Sequence, residues 1–372
     1  MTGRRQRVAM IVPSLRPGGL ERLVRDLCLA MSDRDVETAV YCVGGLGEYA
    51  TDLTAAGIRV EDCREGRWRI RGYPGRLIRA LRTFNPDVLH AHSGTWYAAA
   101  VAQRLLGESA LVYTEHGRYP PEPWGRSLVE RWCRTRTAAL VTVSQGVADY
   151  LRRFLRLSRT PRVIHNGIDL TPYRTVDHDA RAGLRSSWGI GPDDVVAIVV
   201  GRLVPVKNHA GLLRALERAL RTTGRLRLVV LGRGPLEADL RRQASASGLQ
   251  DHITFLGFRR DVPACLAAAD LFVMPSTTEG QPVSLLEAMA TGLPIVASQV
   301  GGIPETLGDP PAGVLLAPDD TEGWSRVLVE LASDPRRRAA LAQSAGIRAE
   351  DFDLDTFADG YGALYREVAR TR

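Results

Sequence analysis

The sequence predicts an α/β protein built from two parallel-sheet domains. Short β-branched runs alternate with helical patterns in two separate series, and a chain of 372 residues exceeds what one hydrophobic core ordinarily serves. A stretch of turn residues without sustained periodicity divides the two series. The first series is Arg7–Val12, Glu37–Val43, Asp87–His92, Ala110–Thr114 and Ala139–Ser144. The second is Val195–Gly201, Leu226–Gly232, Ile253–Gly257, Leu271–Ser276 and Pro294–Ser298. Each run is short, apolar and rich in Val, Ile or aromatic residues, as strands buried on both faces require. The divider is Asn166–Leu184, so one domain spans residues 1–172 and the other 185–354. The last segment is apolar at Phe357, Tyr361, Leu364, Tyr365 and Val368, one stripe of a terminal helix over 355–372 that packs back on the first domain. Two such sheets facing one another enclose a cleft, and their ligands bind beyond the carboxyl ends of the strands.

Composition places the chain among soluble globular proteins, at 45% hydrophobic and 24% charged residues. The basic N-terminus resembles a secretory leader, but its apolar run ends at Pro13 after Val12, so it reads as a first strand. No stretch has the length of a membrane-spanning helix. Five scattered cysteines show no CxxC spacing, which points to a cytoplasmic chain without structural disulfides. The net charge of +7 arises before Pro172, in Arg67–Arg71, in a helix bearing Arg76, Arg79 and Arg82, and in the run from Arg152. A basic face beside Trp68 and Leu77 suits an anionic membrane surface or an acidic acceptor, and solvated Arg accounts for it equally well. No helix-turn-helix, zinc or aromatic-interleaved signature speaks for nucleic acid.

The residues that carry chemistry follow strands. All but one of the 49 basic residues are Arg; the exception, Lys207, lies in Gly201–Asn208 (GRLVPVKN). A guanidinium is a planar fork, whereas an ammonium is a compact charge on a thin stem. Arg202 and Lys207 therefore leave one strand end as a fork and a point charge suited to a pyrophosphate. After the first strand, Gly18 and Gly19 lead into a helix near Leu20 and let a phosphate or sugar approach its N-terminus, or else form a generic turn. TEHG places His116 on a loop after a strand. His90 and His92 form an HxH pair without further ligands nearby, so they read as structural or cleft-lining and no metal is expected. Gly232 and Gly234 repeat the strand-end placement, and the backbone at Phe258 and Arg259 is placed to edge a nucleobase. In PSTTEGQPVSLLEAMATGLP, Pro282 suits a first helical turn, with Glu279 before the helix and Glu287 inside it. There the N–H groups of Gly280, Gln281 and Val283 face a bound anion or sugar, Glu279 accepts from sugar hydroxyls and Glu287 from a ribose diol.

Taken together, GGLE, TEHG, NGID at Asn166–Asp169, GRLVPVKN, EGQPVSLLEAMATGLP and VGGIPE at Val300–Glu305 resemble the family-4 retaining glycosyltransferases, over nearly the whole chain. The resemblance implies the GT-B architecture: two Rossmann-like domains facing a central cleft, the first on the acceptor side and the second binding the donor. It implies that Arg202 and Lys207 hold the donor diphosphate, that Glu279 and Glu287 contact donor sugar and ribose, that His116 lies near the transferred sugar, and that Gly18 and Gly19 abut the phosphates. The family often has an aromatic residue and Gly after the EG of its glutamate motif. Gln281 and Pro282 stand there instead, which leaves the donor sugar open.

The implied reaction moves a hexose or N-acetylhexosamine from a nucleoside-diphosphate sugar, UDP favoured over GDP, to a glycan, lipid-linked or small-molecule acceptor. Negative charge grows on the departing diphosphate, where Arg202, Lys207 and helix N-termini stabilise it without a metal or other cofactor. Asp319–Asp320 and Asp353 with Asp355 read as helix caps rather than a metal pair. Rival readings are a glycoside hydrolase with two carboxylates, an epimerase or hydrolase acting on a nucleotide sugar, and a non-catalytic nucleotide-sugar-binding protein. A nicotinamide oxidoreductase is weaker, because GxGxxG is missing.

Overall fold

The computed structural model describes residues 4–65, 73–118, 125–175 and 178–370. The chain divides into two compact units, Met1–Ile168 with Asp353–Arg372, and Asp169–Phe352. The boundary thus falls before the sequence-derived one at residue 172. The segment Asn166–Leu184, read as linker, carries helical turns of the second unit, Thr171–Arg174 and the start of His178–Ser187.

The first unit is built on a parallel sheet. Its strands are β1 (Gln6–Val12), β2 (Val36–Cys42), β3 (Arg59–Asp62), β4 (Val88–His92), β5 (Ala110–Glu115), β6 (Ala139–Thr142) and β7 (Arg162–Val163). They lie in the order β3-β2-β1-β4-β5-β6-β7 among the described residues. Val8 to Val12 are wholly buried in β1, and all five residues of β4 are buried, because helices cover both faces of a parallel sheet. The sequence reading found neither β3 nor β7. Both are short strands toward the sheet edge whose residues are exposed or half-buried, so apolar runs do not mark them.

The helix Leu354–Arg370 belongs to this unit. Its stripe of Phe357, Tyr361, Leu364, Tyr365 and Val368 is buried against the helix Gly19–Met31 and β4. Arg34 fastens its outer face, bonding Asp359 at 2.7 Å and Asp355 at 2.8 Å. The helix Gly75–Phe84 exposes Arg76, Arg79 and Arg82 but buries Leu77 completely, so Leu77 is core and not part of a basic surface face. Arg67–Arg71 and Trp68 lie outside the described residues. Cys28, Cys42, Cys63, Cys133 and Cys265 are free and buried, and no helix among the described residues is long and apolar enough to cross a membrane.

The second unit holds β8 (Val195–Val200), β9 (Leu226–Leu231), β10 (Ile253–Gly257), β11 (Leu271–Met274), β12 (Ile295–Ser298) and β13 (Val314–Leu316), with β13 the one that sequence missed. The order is β10-β9-β8-β11-β12-β13, all parallel. Its core gathers Leu216, Leu228, Leu271 and Leu331, each at most 2% exposed and each contributing about 1.5–3 kcal/mol by leaving water. The strand order reverses between β8 and β11. At such a switch point the connections diverge and leave a crevice beyond the strand ends.

Candidate functional site

Lys207 and Glu279 meet at the switch point of the second unit. After β8 the chain makes a short turn at Pro205–Lys207, then Asn208 in the left-handed conformation opens the helix His209–Leu220. The Asn208 amide donates to the carbonyls of Pro275 at 3.1 Å and Pro318 at 2.9 Å, and Thr277 N–H donates to Val206 O at 2.8 Å. The loops after β8 and β11 are thereby clamped together. The Lys207 stem runs over Gly201, and its Nζ lies 2.5 Å from Glu279 Oε1. Only 17% of the Lys207 side chain and 5% of the Glu279 side chain are exposed. Arg202 is exposed and makes no side-chain bond to any described residue, so its charge is available to a ligand.

Close backbone contacts hold these loops. A Cβ on Gly232 would stand 1.9 Å from Gly201 O, and one on Gly301 would stand 1.9 Å from Glu279 O. Only glycine fits either place, and both have positive φ. Gly232 therefore supports the loop carrying Arg202, and the VGGIPE turn supports Glu279, whose carbonyl also accepts from Gly302 N–H at 3.3 Å. Gly234 packs in the same way on the Leu203 backbone.

The helix Val283–Ala290 has Pro282 as its cap with extended backbone, so Pro282 stands just before the first turn and not within it. Gln281 and Val283 are buried at this junction. Glu287 lies inside the helix, buried, and accepts from the Tyr173 hydroxyl at 2.7 Å. Phe258 is 39% exposed beyond β10, and the Arg259 guanidinium is taken up by Asp261, Nη2 to Oδ2 at 2.5 Å. What those two residues offer a base is backbone and a ring, not a free cation.

In the first unit, His116 follows β5 and is built in by its neighbours. Glu115, 1% exposed, accepts from Ser93 Oγ at 2.8 Å, Tyr113 Oη at 2.7 Å and Arg118 Nε at 2.9 Å, and Arg118 also pairs with Glu130. Ser93 Oγ in turn accepts from His116 N–H at 3.1 Å. His116 Nε2 lies 3.0 Å from His92 Nδ1. His90 bonds Tyr365 Oη through Nδ1 at 2.6 Å and Thr114 Oγ1 through Nε2 at 2.8 Å. Burial pushes the His90 imidazole down to about 3 and that of His116 down to about 4, and it holds His92 well below the ordinary range.

Gly18 caps the helix Gly19–Met31 with extended backbone, and the space beside it is taken by the Glu21 carboxylate; a Cβ there would stand 2.3 Å from Glu21 Oε2. Asp320 and Asp353 are helix caps, accepting from Gly323 N–H at 2.8 Å and Thr356 N–H at 2.7 Å. Among the described residues no group of three or more His, Cys, Asp or Glu is placed to hold a metal ion. Sequence reasoning missed Tyr173, which sits in the assigned linker, and the hydroxyls of Tyr361 and Tyr365, read only as apolar. It also missed Ser276 and Ser298, whose buried hydroxyls find no partner among the described residues at the ends of β11 and β12.

Comparison with known proteins shows the family and the architecture. Residues 181–347 match the family model described as glycosyl transferases group 1, and residues 17–172 match glycosyltransferase family 4. A D-inositol 3-phosphate glycosyltransferase of Rhodococcus erythropolis is 34% identical, covering 95% of this chain and 87% of its own length. The chain belongs to the family-4 glycosyltransferases. Another relative of this glycosyltransferase is a GDP-mannose-dependent α-(1-6)-phosphatidylinositol monomannoside mannosyltransferase of Mycolicibacterium smegmatis, 32% identical over 72% of this chain and 73% of that protein. Anabaena HepE, solved in complex with UDP and glucose, superposes with a TM-score of 0.85 at 23% identity, covering 97% of this chain and all of the other. Sucrose-phosphate synthase of Thermosynechococcus elongatus superposes with a TM-score of 0.81 at 22% identity, over 99% and 100% of the two chains. The architecture is GT-B, and glycosyl transfer replaces the hydrolase, oxidoreductase and binding-protein readings.

Proposed function

We propose that this glycosyltransferase moves a hexose or N-acetylhexosamine from a nucleotide sugar, with retention of anomeric configuration and without a metal, using the switch-point crevice of its second unit for the donor diphosphate. The observation that carries the reading is the Lys207–Glu279 pair, with Arg202 exposed on the same strand-end loop and without a side-chain partner among the described residues. A departing diphosphate gains charge as the anomeric C–O bond breaks. Lys207 and Arg202 are the cations on hand to meet it, and Asp320 and Asp353 are already used as caps. On this reading the phosphate draws the Lys207 ammonium from Glu279, whose carboxylate is freed to accept from a sugar hydroxyl. Glu287, steadied by Tyr173, takes the ribose diol, Gly280, Gln281 and Val283 lend backbone N–H groups, and the chain beyond β10 at Phe258 and Arg259 edges the base. For the first unit, the family resemblance assigns Gly18 and Gly19 to the phosphates and His116 to the transferred sugar. The acceptor oxygen bonds the anomeric carbon from the face the diphosphate leaves, and its proton passes to the departing phosphate oxygen.

UDP is favoured over GDP. HepE, crystallised with UDP-glucose, supports UDP, whereas the mannosyltransferase relatives are named for GDP-mannose. The acceptor is a glycan, a lipid-linked or a small molecule, and the basic excess before Pro172 favours an anionic one. Peripheral contact with an anionic membrane at the cytoplasmic face rests on the same charge. Calorimetry of UDP and GDP binding with EDTA present, for the native protein and Lys207→Ala, tests the donor site. One nucleotide binding tightly, and more weakly to Lys207→Ala, supports site, donor class and metal independence together; binding of neither removes the reading.

A further inference from the structure

We infer that His92 is a positioning residue: it donates its Nδ1–H to Nε2 of His116 and so fixes His116 as the Nδ1–H tautomer, a hydrogen-bond donor rather than a base. The catalytic consequence rests on the reading of His116 as a sugar contact; the tautomer does not.

The register of β4 on β5 sets His92 opposite Thr114, which brings the imidazoles of His92 and His116 together after the strand. Their nitrogens, His92 Nδ1 and His116 Nε2, are 3.0 Å apart and share one proton. Burial keeps both rings neutral. The other nitrogen of His92, Nε2, is buried and has no hydrogen-bond partner among the described residues. Two arrangements are open. If His116 donates, His92 must carry its own proton on Nε2, leaving an orphaned buried N–H. If His92 donates, Nε2 is only an unused lone pair. Orphaned buried N–H groups are the rarer and costlier defect, so His92 donates. His116 then carries its proton on Nδ1, which bonds no described residue and is free to donate to a substrate oxygen. A ring in that state cannot accept the acceptor's proton at Nδ1, in keeping with a proton that leaves on the phosphate. His90 differs from His92 in having both nitrogens engaged, by Tyr365 and Thr114, which marks it as structural.

The test is the ring nitrogen spectrum of 15N-histidine-labelled protein, with His116 assigned by its loss in His116→Ala. The native protein is expected to show His116 protonated on Nδ1 and bare on Nε2; the reverse overturns the inference without any further variant. His92→Phe keeps the ring shape and removes the donor, so that His116 Nε2 loses its partner. With no donor to hold the proton off Nε2, the Nδ1–H fraction of His116 should fall and kcat drop roughly tenfold, read as release of diphosphate from the nucleotide sugar, with donor KM little changed. His92→Asn, which restores an amide donor, should recover part of both. A folded His92→Phe with native tautomer and kcat overturns the assignment. Undiminished turnover in His116→Ala overturns the role of His116 in the reaction, while the tautomer stands or falls on the spectrum alone.

Discussion

Lys207 Nζ lies 2.5 Å from Glu279 Oε1, joining the ends of β8 and β11 through the one lysine of the chain. The carboxylate is almost wholly buried, and the ammonium beside it is its compensating charge. Lys207→Met should lower stability by up to about 3 kcal/mol, at the small end for a buried pair because the lysine is partly wet. It should also lower turnover by about 10²–10³, as loss of one group stabilising the leaving charge does. Adding Glu279→Gln should restore most of the stability and none of the turnover. Urea denaturation and steady-state rates check both, and a double variant no more stable than Lys207→Met would show that the pair is not the cause.

Gly301→Ala should damage the same site from behind. Its φ of +55° is unfavourable for alanine, and the new Cβ would fall 1.9 Å from the Glu279 carbonyl, a backbone atom that cannot swing away. A loss of about 3 kcal/mol or more is expected, with turnover falling as Glu279 shifts. Gly248→Ala has a similar φ of +68° but open space around it, so it isolates the conformational part at about 1–2 kcal/mol. Equal melting temperatures for the two variants would refute the contact argument.

What the sequence made legible follows from which forces act locally. The buried strands are apolar runs because both sheet faces are covered, so β1, β4, β8 and β11 announce themselves. β3, β7 and β13 are short, with exposed or half-buried residues, and nothing in their composition separates them from loops. Strand-end placement pointed to Lys207, Glu279 and His116, because ligands of parallel sheets bind there. It did not reveal that Lys207 and Glu279 pair, nor that Tyr173 reaches Glu287 or Tyr365 reaches His90. Those bonds join residues distant in sequence and exist only once the sheets have formed.

Tyr173→Phe isolates one of them. The hydroxyl donates to Glu287 Oε1 at 2.7 Å in a buried setting. Removing it takes a donor from a buried carboxylate, a loss of about 1–3 kcal/mol. On the proposed ribose role of Glu287, donor KM should rise with kcat nearly unchanged. A variant with native stability and native KM would remove Tyr173 from the site.

The buried histidines give the protein a stability that falls in mild acid. Burial drives the His90 imidazole from the ordinary 6.5 to about 3, so the folded chain keeps it neutral while the unfolded chain takes up a proton below 6.5. The unfolded state then binds more protons, and stability rises with pH across that window. The contribution is complete above 6.5 and is lost as pH falls toward 3, at about 1.4 kcal/mol per pH unit for this one group. His92, held low for the same reason, and His116, at about 4, add in the same direction. Asp62, Asp261 and Asp353 are shifted below the ordinary carboxylate range and lose their contributions only at lower pH. Urea denaturation at pH 7, 6 and 5 should therefore show a fall in stability that steepens below 6.5 and is shallower in His90→Gln. Parallel curves for the two proteins would mean that His90 is not held neutral by the fold, and the lone pair it offers Tyr365 or Thr114 would need another account.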